Sequence, residues 1–104
     1  MNDLANPLRG EATLTVGDVA HVLRPSFAAL VGAEEELGPL FALVERAGEG
    51  QLRLSEMTVL FWHCLVRRDA VSREQVGEAV ITTGLAACAR PLRILLGQIL
   101  QGRG

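Results

Sequence analysis

The sequence contains no lysine and no tyrosine, and it is poor in the residue types that carry most protein chemistry. Two cysteines, two histidines, three phenylalanines and one tryptophan occur among its 104 residues. Cys64 and Cys88 lie at unrelated spacing on predicted helices, which is typical of small core residues rather than of redox or metal groups. The sequence has no Cys-x-x-Cys, no His-x-x-x-His and no paired carboxylates at metal-site spacing. We therefore predict no metal site and no cofactor.

The few candidate catalytic groups do not converge. His63 and Cys64 are neighbours on a predicted helix, where their side chains point about 100° apart, so they cannot form a nucleophile and base pair with each other. His21 falls on the predicted core side of a hairpin. The run Glu34 to Glu36 is interpreted as a solvated helix edge, and Gly48-Glu49-Gly50 lacks the strand and lysine that a phosphate loop needs. We predict no catalytic residues and a protein that is not an enzyme.

The charge balance disfavours a dedicated nucleic-acid partner. The formal net charge is −2 and the isoelectric point is near 5.6. The halves differ, because residues 1–52 carry three Arg and eight acids (−5) whereas residues 53–104 carry seven Arg and four acids (+3). Four Arg side chains would form a basic patch if the third and fifth helices are neighbours: Arg67, Arg68, Arg90 and Arg93. A nucleic-acid site would also need interleaved aromatics, and only Trp62 is near.

The chain starts Met1-Asn2-Asp3-Leu4, with neither a basic leader nor an apolar stretch, so we predict no secretory signal. Its apolar runs are far shorter than the ~20 residues of a membrane span. These features predict a cytoplasmic protein without membrane contact. Residues 1–104 suit a single domain, made of a hairpin over 10–24 and a helical part over 26–102.

A change of periodicity at Pro25 divides the chain. The residues before it alternate as in two strands joined by a Gly17-Asp18 loop, which predicts a hairpin. Three pairs form the predicted buried face: Val16 with Val19, Leu14 with His21, and Ala12 with Leu23. Three pairs form the opposite face: Thr15 with Ala20, Thr13 with Val22, and Glu11 with Arg24. The last is an opposite-charge pair worth about 0.2–1 kcal/mol.

After Pro25 the apolar clusters repeat at helical spacing, and capping signals divide them into five helices. The predicted helices are Phe27 to Leu37 after Ser26, Pro39 to Ala47, Glu56 to Arg68 after Ser55, Ser72 to Gly84, and Leu85 to Gln101. The capping box Ser72-Arg73-Glu74-Gln75 fixes the start of the fourth. Pro91 either kinks the fifth helix or separates a short turn from its main part, and we favour a kink. The predicted fold is α+β, an N-terminal β-hairpin followed by about five short helices in a compact bundle.

Apolar positions predict the buried face of each helix. The predicted face of the first helix contains Phe27, Leu30, Val31 and Leu37. That of the third contains Met57, Leu60, Phe61, Cys64 and Leu65, and a second apolar side carries Val59, Trp62 and Val66. A helix that is apolar over so much of its circumference is expected to be central, covered by neighbours or by a partner.

Several stretches together resemble the gene transfer agent tail assembly chaperone family, a group of short proteins encoded among phage tail genes. They are Asn6-Pro7-Leu8-Arg9-Gly10-Glu11-Ala12, Val22-Leu23-Arg24, Ala28-Ala29-Leu30 and Glu34-Glu35-Glu36-Leu37-Gly38. The later part is similar as well, with a helix followed by an Arg pair, a capped helix from Ser72 to Gly84, and a Leu-rich tail. The family's hairpin turn is more typically Asp-Gly, whereas this chain has Gly17-Asp18.

The resemblance implies a non-enzymatic role in building a long-tailed, phage-like particle. Chaperones of related tail systems are thought to coat the tape measure protein, a long helical chain, until tail tube subunits polymerise around it. The implied partners are the tape measure protein and the tail tube protein. Such a role requires an accessible apolar groove. The expected contributors are Phe61 or Trp62 together with Leu92, Leu95 and Leu96.

Other functions stay open from the sequence. The apolar surplus of the third and fifth helices also suits a homo-oligomer. A small nucleic-acid-binding or regulatory domain would use the Arg-rich C-terminal half. A structural tail component or an enzyme accessory subunit is the third possibility.

Overall fold

A computed structural model describes Asn6 and residues 10–102 of the chain. Two antiparallel strands come first, β1 (Ala12–Val16) and β2 (Val19–Leu23), and five α-helices follow. The helices are α1 (Phe27–Leu37), α2 (Leu40–Gly48), α3 (Leu54–Cys64), α4 (Arg73–Thr83) and α5 (Leu85–Gln101), with a short 3-10 helix at Arg68–Ala70. The α+β prediction of a hairpin followed by five helices is confirmed.

The hairpin has the predicted register, with Ala12 opposite Leu23 and Val16 opposite Val19 across the Gly17-Asp18 turn. Gly17 has a φ of 61°, which suits glycine in a tight hairpin turn. The predicted inner face is only partly correct. β1 alternates as expected, but Val19 is 58% exposed, while Val22 on the opposite face is buried. The turn end of β2 therefore extends beyond the core.

The predicted ion pair between Glu11 and Arg24 is confirmed, but Glu11 is buried and does not lie on a solvent-exposed face. Its side chain is 3% exposed, and Oε2 lies 2.6 Å from Nε of Arg24. Oε1 accepts a hydrogen bond from the backbone N–H of Asn6 at 3.0 Å. Because a buried carboxylate needs such partners, the contact ties the segment before β1 to the end of β2.

The third helix ends four residues earlier than predicted, at Cys64, because the chain after it joins the hairpin. Leu65 is extended and forms an antiparallel bridge with Leu23. The backbone N–H of Val66 donates to the carbonyl of Val22 at 3.0 Å. Tertiary pairing thus outweighs the helical apolar pattern, which continues past Cys64.

The start of α3 also differs from the prediction. The helix begins at Leu54, and Ser55 is not its cap. Glu56 instead accepts a hydrogen bond from the backbone N–H of Arg53 at 2.9 Å. The same carboxylate pairs with Arg46 of α2 at 2.7 Å, so one side chain fixes the helix start and links two helices.

The buried face of α1 is not the predicted one. Ala29 and Ala33 are its buried residues, whereas Phe27 is 85% exposed. Leu30 and Leu37 are partly buried against the core. The small residues face α3, because the two helices approach closely where Gly32 meets His63.

The helix caps agree well with the sequence. Ser26 Oγ accepts from the N–H of Ala29 at 3.2 Å, and Gly38 ends α1 at a φ of 86°. The α4 capping box is present in full, since Ser72 and Gln75 exchange backbone-to-side-chain hydrogen bonds of 2.8 and 3.1 Å. Helix α5 runs continuously through Pro91, so no separate turn precedes its main part.

The core lies where β1 packs against α4 and α5, and where α3 packs against α1 and α4. All five residues of the predicted α3 face are buried: Met57, Leu60, Phe61, Cys64 and Leu65. Cys64 and Cys88 are buried free thiols, as expected of small core residues. Helix α2 packs against one side of α5.

Candidate partner-binding groove

An open groove of about 460 Å³ runs between α2 and α5. Three of its lining residues lie on α2: Val44, Ala47 and Gly48. Six lie on α5: Ala89, Leu92, Arg93, Leu96, Gly97 and Leu100. Arg93 is the one charged residue of this lining. We call this feature the α2/α5 groove.

The groove follows from the packing of two amphipathic helices with unequal faces. Leu43 of α2 and Leu95 of α5 are fully buried and fix the two helices in place. The residues on either side of these anchors are apolar or small and are only partly covered. Two helices that touch through a few large side chains leave a channel beside the contact, and this channel suits a third helix.

The five residues predicted to bind a partner separate into different places. Leu92 and Leu96 line the α2/α5 groove and are partly buried. Leu95 and Phe61 are fully buried, so neither presents surface in this conformation. Trp62 is partly buried on α3 and does not line the groove. Two of the five thus contribute groove surface, and Leu95 supports it from beneath.

Trp62 is held by polar contacts within the chain. Its indole Nε1–H donates to the backbone carbonyl of Val71 at 3.1 Å. The guanidinium carbon of Arg73 lies 4.4 Å from the ring centroid, and that of Arg68 lies 5.5 Å away. These cation–π contacts cover the ring. Trp62 therefore joins α3 to the start of α4 rather than serving as an open docking surface.

Glu36 of α1 completes this arrangement. It accepts two hydrogen bonds from the Arg73 guanidinium, one of them at 2.8 Å from Nη1 to Oε2. The Arg73 hydrogen bond lowers the pKa of Glu36, and His63, whose Nε2 lies 3.4 Å from Oε1, lowers it further. The predicted solvated edge of α1 is thus wrong at Glu36, because this side chain links α1 to α4.

A second, larger groove of about 720 Å³ lies between the hairpin turn and α4. Most of its lining residues are polar, and three of them are acidic: Asp18, Glu74 and Glu78. Among the described residues, no group of three or more His, Cys, Asp or Glu side chains is arranged to hold a metal ion.

The basic patch considered from the sequence required α3 and α5 to be neighbours. The main contacts of α3 are instead with α1 and α4, and those of α5 are with β1, α4 and α2. Arg68 lies over the Trp62 ring, whereas Arg93 lines the α2/α5 groove. The main helix contacts therefore do not assemble the four Arg residues into one surface.

No single helix of the described residues is long and apolar enough to cross a membrane. Helices α4 and α5 meet the length and composition of a span only when they are counted together across a bend of 119°.

The fold and the groove define a small α+β protein with an apolar channel between two helices. Over residues 9–102 the sequence matches the family described as phage tail tube protein, GTA-gp10. The chain belongs to this phage tail family of gene transfer agents. No curated protein and no solved structure matches the chain.

Sequence reasoning missed the α2 side of the groove and its small residues. The expected contributors lay on the third and fifth helices, and none lay on the second. Gly97, in the interior of α5, was not among the expected contributors. The available signal was an interior helical glycine, which costs about 0.5–1 kcal/mol relative to alanine and often marks a packing or functional position.

Proposed function

We propose that this chain is a non-enzymatic tail assembly chaperone that binds helical segments of the tape measure protein in the α2/α5 groove. The α2/α5 groove is the observation that carries the proposal. It is open and apolar, and it lies on the surface, as recognition of an amphipathic helix requires. Membership of a phage tail family supports a role among tail proteins. Binding would take place in the cytoplasm, before the tail tube closes around the tape measure.

The groove is long enough to hold about three turns of a partner helix. From Ala89 to Leu100 the α5 wall covers about 16 Å at 1.5 Å per residue, which equals three helical turns of a docked partner. A partner helix would present an apolar residue to this wall about once per turn. Because the side chains that would meet it are aliphatic, the groove makes few demands on the partner's sequence.

The test is co-expression with the cognate tape measure protein. We expect the soluble tape measure fraction to rise when this chain is present. Gly97→Leu should abolish the rise, because a Cβ at Gly97 meets no other atom within 4 Å and a leucine would therefore fill the groove without a clash inside the chain. Leu100→Glu, at the exposed edge of the groove, should act in the same direction.

Ile81→Glu is the matched control, since Ile81 is 60% exposed on α4 and does not line the groove. This variant should retain full activity. An insoluble tape measure both with and without the wild-type chain would contradict the chaperone function. Equal activity of all variants would place the binding surface elsewhere.

A structural tail component is the second candidate, and the family description supports it. Quantitative mass spectrometry of purified particles separates the two functions. A chaperone should be absent or present well below the copy number of the tail tube subunits, whereas a structural component should be present in a fixed ratio to them.

A further inference from the structure

The charged residues of α5, which forms one wall of the α2/α5 groove, are all basic. Helix α5 contains Arg90 and Arg93 but no Asp or Glu. Neither arginine forms an ion pair within the described part of the chain, whereas Arg24, Arg46 and Arg73 each pair with a glutamate. Glu45 of α2 and Glu49, which follows the last residue of α2, do not line the groove. The groove thus offers an apolar channel whose one charged lining residue, Arg93, has no ion pair among the described residues.

Two glycines in the groove have no role in internal packing. A Cβ placed on Gly48 or on Gly97 would meet no other atom within 4 Å. Gly97 lies in the interior of α5, where glycine is unfavourable relative to alanine. A side chain is therefore absent where a partner backbone would come closest, since packed helix axes approach to about 8–10 Å.

We propose that the groove accepts an amphipathic helix whose apolar stripe is bordered by Asp or Glu, and that Arg93 pairs with one of these carboxylates. This inference rests on the proposed function, because it specifies the chemistry of the helix bound there. Charge complementarity at the edge of an apolar interface selects partners and their orientation more than it adds affinity. Arg93 is accordingly a specificity-determining residue, and the aliphatic wall supplies the binding surface.

Three synthetic helical peptides of 18 residues test the proposal. They share one leucine stripe at i, i+3, i+4 and i+7 spacing and differ only at the flanking positions, which carry Glu, Gln or Lys. Binding to the full chain is measured by fluorescence anisotropy. At 50 mM salt we expect the Glu peptide to bind about 10-fold more tightly than the Lys peptide, and at 500 mM salt the difference should shrink because surface charges are then screened.

Charge reversal gives the sharper test. Arg93→Glu should reverse the order, so that the Lys peptide binds more tightly than the Glu peptide. Arg67→Glu is the matched control, because Arg67 is exposed in the connection between α3 and α4 and does not line the groove. It should leave the order unchanged. Circular dichroism and the thermal midpoint confirm that both variants are folded.

The outcomes separate this inference from the proposed function. If all three peptides bind equally well and Arg93→Glu has no effect, the charge preference is overturned while groove binding stands. If no peptide binds and the tape measure is not solubilised, both are overturned. If the free chain self-associates and Gly97→Leu abolishes self-association without any peptide competing, a second copy occupies the groove, and the inference also fails.

Discussion

Gly32 of α1 lies directly against the imidazole ring of His63 in α3. A Cβ at Gly32 would stand 2.8 Å from Nδ1 and 2.9 Å from Cε1 of this ring. His63 is only 8% exposed, so its ring has little room to move. The contact explains why α1 buries its small residues rather than its large ones, because only a face without bulky side chains can approach α3 this closely.

Gly32→Ala should therefore destabilise the protein by about 1–3 kcal/mol, the usual cost of overpacking. Urea denaturation measures the free energy of unfolding. Gly77→Ala is the matched control, since its Cβ would lie 3.8 Å from the nearest atom, Cγ2 of Thr58. This helical substitution should be neutral or stabilise by up to about 1 kcal/mol.

His63→Ala should relieve the effect of Gly32→Ala in the double variant. The two changes should be non-additive, because removal of the ring removes the clash. Additive free-energy changes would mean that the alanine at position 32 is accommodated without contact to the ring.

Arg73→Gln should lower stability at neutral pH, and the loss should diminish in acid. The pKa of Glu36 is lower in the folded chain than the ordinary value of about 4.3. The contribution of Glu36 to the free energy of unfolding is therefore fully present at pH values above its ordinary pKa. It is lost as the pH falls through the pKa that Glu36 has in the folded chain. Denaturant midpoints of the wild type and the variant, measured between pH 7 and pH 2.5, should converge on acidification.

Convergence should be incomplete, since the contact between Arg73 and the Trp62 ring does not depend on Glu36. Arg90→Gln is the control, because Arg90 is exposed and has no ion pair within the described residues. It should leave the midpoint unchanged at every pH. A wild-type advantage that grows toward low pH would show that Glu36 is not the stabilising partner.

Neither native cysteine should react with a thiol reagent until the protein opens. Burial raises the pKa of Cys64 to about 12 and also raises that of Cys88. At pH 8 Cys64 is then almost entirely the unreactive thiol. Labelling with 5,5′-dithiobis(2-nitrobenzoic acid) should give no native reaction and two equivalents in urea.

The variant Arg67→Cys supplies a reactive control, because position 67 is exposed. It should add one rapidly labelled equivalent in the native state. Rapid labelling of the wild-type chain would mean that α3 or α5 separates from the core in solution.

The sequence predicted the local elements well because their signals act over a few residues. The bounds of α1 and α5 agree with the structure to the residue. The capping box at Ser72 and the hairpin register were equally clear, since caps and two-residue turns depend on neighbouring backbone groups. The gene transfer agent tail family inferred from the sequence is confirmed, whereas the assembly chaperone role within it stays a prediction.

The sequence could not predict how the elements cover one another. An amphipathic pattern marks apolar positions, but it does not say which of them a neighbour will bury. Phe27 and Ala29 illustrate the point: the larger side chain is exposed and the smaller one is buried. Leu65 is another case, since its pairing with Leu23 ends a helix that its apolar spacing would continue.

The α2/α5 groove combines both kinds of information. The apolar stripe of α5, including Leu92 and Leu96, was evident from the sequence alone because helical spacing is a local property. Its division into a buried anchor at Leu95 and an open wall on either side was decided only by the tertiary structure. The physical reason is that the burial of each α5 side chain depends on how closely β1, α4 and α2 approach it, and the packing of the whole core sets those distances.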